Sequence, residues 1–263
     1  MKTRIFSAIF LIFIAIPLVI AGDKTFSLAI GIVGVFALKE IIDLKTNQGR
    51  VPFVMTLLYY VSFLGLVFLS PFEYSSLVGI NYLWMGVLIL LYLLPCLFFH
   101  PKEYDTKQAL YFLGITFFLS LACHTIIMIR LKSLWLFLYF ILIPILTDTF
   151  ALLFGLLIGR HPLAPLISPK KTIEGSFFGT LCATMVASTF YGIFCGTFSI
   201  SIVLITIFLS IVSQMGDLFF SKMKRENEQK DFSNLIPGHG GILDRFDSML
   251  FVSLAYLVVF TLL

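Results

Sequence analysis

Asp217, Asp244 and Asp247 share one polar segment near the C-terminus of an otherwise apolar chain, and their types and spacing suit a hard divalent cation. Asp244 and Asp247 stand three apart at the expected start of a helix, so both carboxylates point to one helical face. Asp217 lies about one turn from the end of the preceding apolar stretch. If the segment between folds back, the three carboxylates meet at the membrane edge. Oxygen donors with little sulfur or imidazole nearby suit Mg²⁺, which takes one or two carboxylates and completes its shell with water and phosphate oxygens. The same spacing reads equally well as a helix N-terminal charge at Asp244 and a salt-bridge partner at Asp247.

Between these acids stand Lys222, Lys224, Arg225 and Lys230, followed by Pro237-Gly238-His239-Gly240-Gly241. Cations followed by a flexible backbone at a helix start can hold an anion. A loop whose lysines meet anionic lipid heads is the alternative. His239, between glycines, suits a polar contact or a proton role. A second polar stretch runs from Ser168 through Pro169, Lys170, Lys171 and Thr172 to Glu174 and Gly175. There Thr172 can cap a helix beginning near Glu174, which places a helix N-terminus beside two cations. The spacing of a phosphate-binding P-loop is absent. Asp148 sits well inside an apolar run, where an unpaired carboxylate costs at least ~2.5–3.5 kcal/mol, so it marks a polar cavity or a buried hydrogen bond to Thr147 or Thr149.

These side chains must be positioned by membrane helices. Of the 263 residues 59% are hydrophobic and 12% charged, and the mean hydropathy is +1.03, which excludes an ordinary soluble domain. Apolar runs predict an all-α, polytopic protein with about nine spans, at roughly 5–21, 26–42, 51–70, 77–99, 108–129, 133–158, 174–195, 198–220 and 244–262. With the N-terminus inside, all of the 18 Lys and Arg except Lys24, Arg130 and Lys132 fall on the cytoplasmic side, together with polar loops 159–173 and 221–243. No internal repeat or linker appears. The chain reads as one integral membrane domain, 1–263, with scaffold spans over about 1–130 and a catalytic half over about 131–263. Cys96, Cys123, Cys182 and Cys195 lack metal-site spacing and read as core residues. A net charge of +4 without a basic tail gives no reason to expect nucleic acid as a partner.

The string from Ser221 to Arg225, then Lys230-Asp231-Phe232-Ser233, then Pro237 through Asp247, closely resembles the signature of the phosphatidate cytidylyltransferases. Ser168 to Gly175, with Asp148 upstream, resembles the family's other polar stretch, so the likeness covers roughly the C-terminal half. The resemblance implies an enzyme of the plasma or inner membrane, with its site on the cytoplasmic side, that converts CTP and phosphatidate to CDP-diacylglycerol and pyrophosphate with Mg²⁺. It implies a homodimer as well.

On this resemblance Asp217 and Asp244 are the leading metal ligands and Asp247 a third or supporting carboxylate. Lys170, Lys171, Lys224 and Arg225 hold phosphates, and Lys230, Asp231 and His239 organise the nucleotide pocket. Asp148, Ser168, Thr172, Glu174, Gly240, Gly241 and Arg245 complete the substrate-binding set. The nearest alternative is a CTP-dependent enzyme acting on another membrane lipid. A transporter coupling an ion at Asp148 and Asp217 is a different class, disfavoured by the absence of repeated halves.

Overall fold

The structure, a computed structural model, describes residues 2–46, 51–68, 82–101, 103–238 and 240–259. Within them the chain forms α1 (Lys2–Ala21), α2 (Asp23–Thr46), α3 (Phe53–Phe68), α4 (Tyr82–Leu93), a 3-10 turn (Leu94–Leu97), α5 (Thr106–Lys132) and α6 (Leu134–Ile158). A two-stranded hairpin follows, β1 (Pro162–Ala164) and β2 (Ser168–Thr172), then α7 (Ile173–Phe194), α8 (Ile200–Glu226) and α9 (Leu243–Val259). Five helical stretches among the described residues are long and apolar enough to cross a membrane: Asp23–Lys45, Thr106–Lys132, Leu134–Ile158, Ile173–Phe194 and Ile200–Glu226.

Two compact units divide the chain, one comprising Met1–Phe26 and Thr125–Leu263, the other Ser27–His124. In the second unit, aromatic packing and buried hydroxyls hold the helices. Tyr59 stacks on Phe112 at 4.5 Å, and the Tyr92 hydroxyl lies 2.6 Å from Ser62 Oγ and donates to Thr116 Oγ1 at 3.1 Å. Tyr104, fully buried, donates its hydroxyl to the Tyr92 carbonyl at 2.9 Å. Each such pairing spares a buried hydroxyl the cost of going unpaired.

The first unit holds all the described candidate site residues, and α6 and α7 form its tightest pair. A Cβ at Gly175 would come within 2.5 Å of the Ala151 carbonyl oxygen, and one at Gly179 within 2.8 Å of Ala151 Cβ. Gly155 on α6, Gly159 just past its end, and Gly175 and Gly179 on α7 therefore let the backbones touch, which is how membrane helices gain van der Waals contact. Hydroxyl pairs join α6 to α8, Tyr139 with Thr206 and Thr147 with Ser210, both at 2.8 Å, each worth about 0.6 kcal/mol on average in membranes. Gln214 Nε2 donates to Thr180 Oγ1 at 2.7 Å and ties α8 to α7. Phe251 of α9 packs against Gly216, Phe219 and Phe220 of α8.

Three expectations need correcting. The stretch 159–173 is not a loop but a hairpin, paired from Pro162 with Thr172 to Ala164 with Ser168 and closed by Ile173 N donating to the His161 carbonyl at 2.9 Å. The polar segment expected to begin at 221 is helical through Glu226, because Lys222, Met223, Lys224, Arg225 and Glu226 are all good helix formers. Asn227 ends α8, its Nδ2 donating to the Met223 carbonyl at 2.7 Å. No 130–132 loop exists, since α5 runs to Lys132 and Ser133 alone precedes α6. Arg130 donates to the carbonyls of Val19 at 2.7 Å and Ile20 at 3.1 Å, so it neutralises the C-terminal end of α1.

Candidate active site

Asp217 faces the hairpin from the C-terminal half of α8. Lys171 Nζ, carried on β2, forms an ion pair with Asp217 Oδ2, and Ser221 Oγ, one turn on, donates to Oδ1 at 3.3 Å. Both partners of the pair are part-exposed, at 28% and 23%. The pair couples the hairpin to α8 while leaving the carboxylate reachable.

A different partner engages Asp244. Its Oδ1 accepts from Lys224 Nζ at 2.5 Å, and its Oδ2 accepts from Phe232 N at 3.0 Å and Gly241 N at 2.9 Å. These side chains are only 11% and 5% exposed, and the Lys224 ammonium also lies 5.3 Å from the centre of the Phe232 ring. One carboxylate thus fastens the end of α8, the start of the 227–242 loop and its return into α9. Gly240 makes this possible. Its φ is +82° and a Cβ there would stand 2.9 Å from Asp244 Oδ2, so a side chain would be strained and would displace the acceptor. The Ile236 N donates to the Gly240 carbonyl at 2.9 Å and closes the loop on itself.

Asp247 lies one turn into α9, where its Oδ1 accepts from Ser248 N at 2.7 Å. It lies within electrostatic reach of Asp217, Asp148 and Lys224, and Asp148 likewise of Lys171 and Asp217. Asp148 is exposed on α6, so it is not sealed within the helix packing. Four carboxylates from α6, α8 and α9 thus surround two lysines, an excess of negative charge built from oxygen donors. Among the described residues no group of three His, Cys, Asp or Glu side chains is arranged to hold a metal ion directly. The donor chemistry fits Mg²⁺ all the same, because that ion takes only one or two carboxylates and fills its shell with water and phosphate oxygens.

The other sequence-predicted residues divide by what they touch. Thr172 caps α7, its Oγ1 accepting from Gly175 N at 3.2 Å, and Ser168 pairs with Ala164 in the hairpin. Glu174 Oε2 accepts from Arg160 N and His161 N at 3.1 and 3.3 Å, and Oε1 meets His161 Nδ1 at 2.6 Å. Arg225 Nη1 donates to the Gln229 carbonyl at 3.0 Å and Nε to that of Ile167 at 3.5 Å, so it links the end of α8 to the hairpin turn. Lys170, Lys230, Asp231 and Arg245 are exposed, Asp231 lying beside Gly240, whose neighbour Gly241 supplies a donor to Asp244. His239 lies outside the described residues. Sequence reasoning missed His161 as the partner of Glu174, Phe232 as the ring under Lys224, and the glycine ridges that set the α6–α7 distance. The ridges alone carried a signal, the two Gly-x-x-x-Gly spacings.

Lysine–aspartate pairs near the ends of apolar helices gather cations and carboxylate oxygens in one place, which is what binding a polyanion and its counter-cation requires in phosphoryl-group chemistry. Comparison with known proteins agrees. The model of the cytidylyltransferase family matches residues 2–263. Phosphatidate cytidylyltransferases of Staphylococcus haemolyticus and Staphylococcus aureus are each 32% identical, over 260 and 263 residues, and that of Staphylococcus epidermidis is 33% identical over 256. In each case the alignment covers 96% of both chains. With lysine–aspartate pairs at the ends of apolar helices and a match over nearly its whole length, the chain belongs to the cytidylyltransferase family.

Proposed function

We propose that this protein transfers the cytidylyl group of CTP to phosphatidate, giving CDP-diacylglycerol and pyrophosphate with Mg²⁺ required. The observation that carries the reading is the pairing of Lys171 with Asp217 and Lys224 with Asp244 at the ends of apolar helices, beside Asp148 and Asp247. A phosphatidate oxygen attacks the α-phosphorus of CTP. The new P–O bond forms as the bond from that phosphorus to the bridging oxygen breaks, and the electron pair leaves with pyrophosphate. Little covalent chemistry is asked of the protein, so positioning and electrostatics carry the reaction.

Lys171 swings from Asp217 to the triphosphate, with Lys170 beside it, while Lys224 neutralises charge from the opposite side. Asp217, Asp244 and Asp247 would hold Mg²⁺, which when bound neutralises phosphate charge and polarises the phosphoryl oxygens. Asp217 and Asp247 suit this most directly. Asp244 would first have to release Lys224. Arg225, Glu174 and Thr172 act as positioning residues through the hairpin, and Lys230, Asp231, His239, Gly240, Gly241 and Arg245 form the nucleotide side. Asp148 lines the approach of the lipid phosphate.

On this reading the chain is one integral membrane domain of about nine spans, scaffold over about 1–130 and catalytic over about 131–263, with its site on the cytoplasmic side. It works as a homodimer. The deciding assay is pyrophosphate release by purified protein given CTP, Mg²⁺ and phosphatidate, with phosphatidate omitted, EDTA added or another lipid phosphate substituted. Release that requires phosphatidate, with CDP-diacylglycerol as product, is the expected result. Release only with the substitute lipid would assign another acceptor, and ion flux in proteoliposomes without CTP turnover would replace the enzyme reading by a transporter.

A further inference from the structure

Within the Ser27–His124 unit, a cleft of about 340 Å³ is lined by Lys45, Asp105, Lys107, Gln108, Tyr111 and Phe112. None of these belongs to the site described above. Lys45 stands in the last turn of α2 and Lys107 in the first turn of α5, and both helices are of membrane-spanning length, so the cleft lies at headgroup depth. Its wall mixes polar and aromatic side chains. The Lys45 ammonium lies 5.1 Å from the centre of the Tyr111 ring, and Asp105 Oδ1 accepts from Gln108 N at 2.7 Å, which already compensates part of its charge.

Gln108 Oε1 is buried and without a hydrogen-bond partner among the described residues. A buried acceptor left unmade costs free energy unless a donor reaches it. The cleft therefore combines two cations, an acceptor needing a donor, and ring faces beside an apolar interior. Its volume falls in the range of small-ligand sites.

We propose that this cleft binds a phosphate ester that also carries a hydroxyl or ammonium donor, as the head of a membrane phospholipid does. Lys45 and Lys107 hold the phosphate, Gln108 takes the donor, and Tyr111 covers the glycerol. The ligand is bound, not turned over, so the proposal stands apart from the cytidylyl-transfer reading.

The test uses the full chain in phosphatidylcholine nanodiscs with increasing phosphatidylglycerol, scoring retained lipid by native mass spectrometry. A saturable preference for phosphatidylglycerol is expected. It should fall at least tenfold in the Lys45→Gln/Lys107→Gln double variant, fall also in Gln108→Leu, and persist in Lys171→Gln, which alters only the other site. Soluble glycerol 3-phosphate is the second arm: displacement of the lipid supports the site with a soluble phosphate ester as occupant, and no displacement supports it with the lipid itself. Equal retention of phosphatidylglycerol by wild type and the double variant, or no preference over phosphatidylcholine in wild type, overturns the proposal.

Discussion

Asp244→Asn isolates the charge at the centre of the loop clasp. The asparagine carbonyl can still accept from Phe232 N and Gly241 N, but its amide NH₂ then faces the Lys224 ammonium in place of Oδ1. Because the pair is 2.5 Å long and its side chains are 11% and 5% exposed, removing one partner strands a buried cation, at a cost of about 3–5 kcal/mol. At about 1.4 kcal/mol per decade, the loop opens at least ~100-fold more often. Hydrogen exchange over 229–243, followed in peptides containing the Phe232 and Gly241 amides, reads this directly. Turnover should be lost in the same variant. Lys224→Met gives the reciprocal measurement, because it leaves Asp244 intact for a cation while removing the clasp, and it should loosen the loop as well. Exchange within about threefold of wild type in both variants, with turnover lost only in Asp244→Asn, would refute the clasp and leave Asp244 acting on substrate or metal alone.

Gly240→Ala should cost about 1–3 kcal/mol in loop stability from its left-handed backbone alone and raise KM for CTP, as steady-state kinetics would show. Gly175→Val should push α7 off the Ala151 carbonyl and abolish folded yield in size-exclusion profiles, whereas Gly86→Ala, with nothing within 4 Å of the added methyl, should express normally. Lys171→Gln should raise KM for CTP at least tenfold with loop exchange unchanged, and an unaltered KM would remove Lys171 from the phosphate site. EDTA should stop turnover and Mg²⁺ in excess should restore it, measured as pyrophosphate release.

The positions of the five long apolar helices were legible from hydropathy, since a span must be about 20 apolar residues whatever it packs against. Their ends were not. Hydropathy ends where charge begins, yet a helix ends where its backbone loses partners, and α8 continues through Lys224 and Arg225 to Asn227. The hairpin escaped because β1 has three residues and both strands carry proline, leaving no alternation to read. Asp217, Asp244 and Asp247 stood out as misplaced charges in an apolar chain, but which lysine each would face depended on tertiary folding. Glu174 illustrates the same limit, since its partners Arg160 and His161 lie across the hairpin and not along the helix.

Asp148 shares its stripe of α6 with Leu152 and Leu156, four and eight residues on, which are 66% and 78% exposed. On the proposed function, a carboxylate on the same surface as side chains suited to acyl chains would give the site an entrance from within the bilayer. An acceptor lipid entering there arrives by diffusion in the plane of the bilayer, and its effective concentration is a mole fraction. Diluting the vesicles in buffer should then leave the rate per enzyme unchanged. Diluting phosphatidate with inert lipid should lower it, so membrane composition becomes the controlling variable of this enzyme's flux.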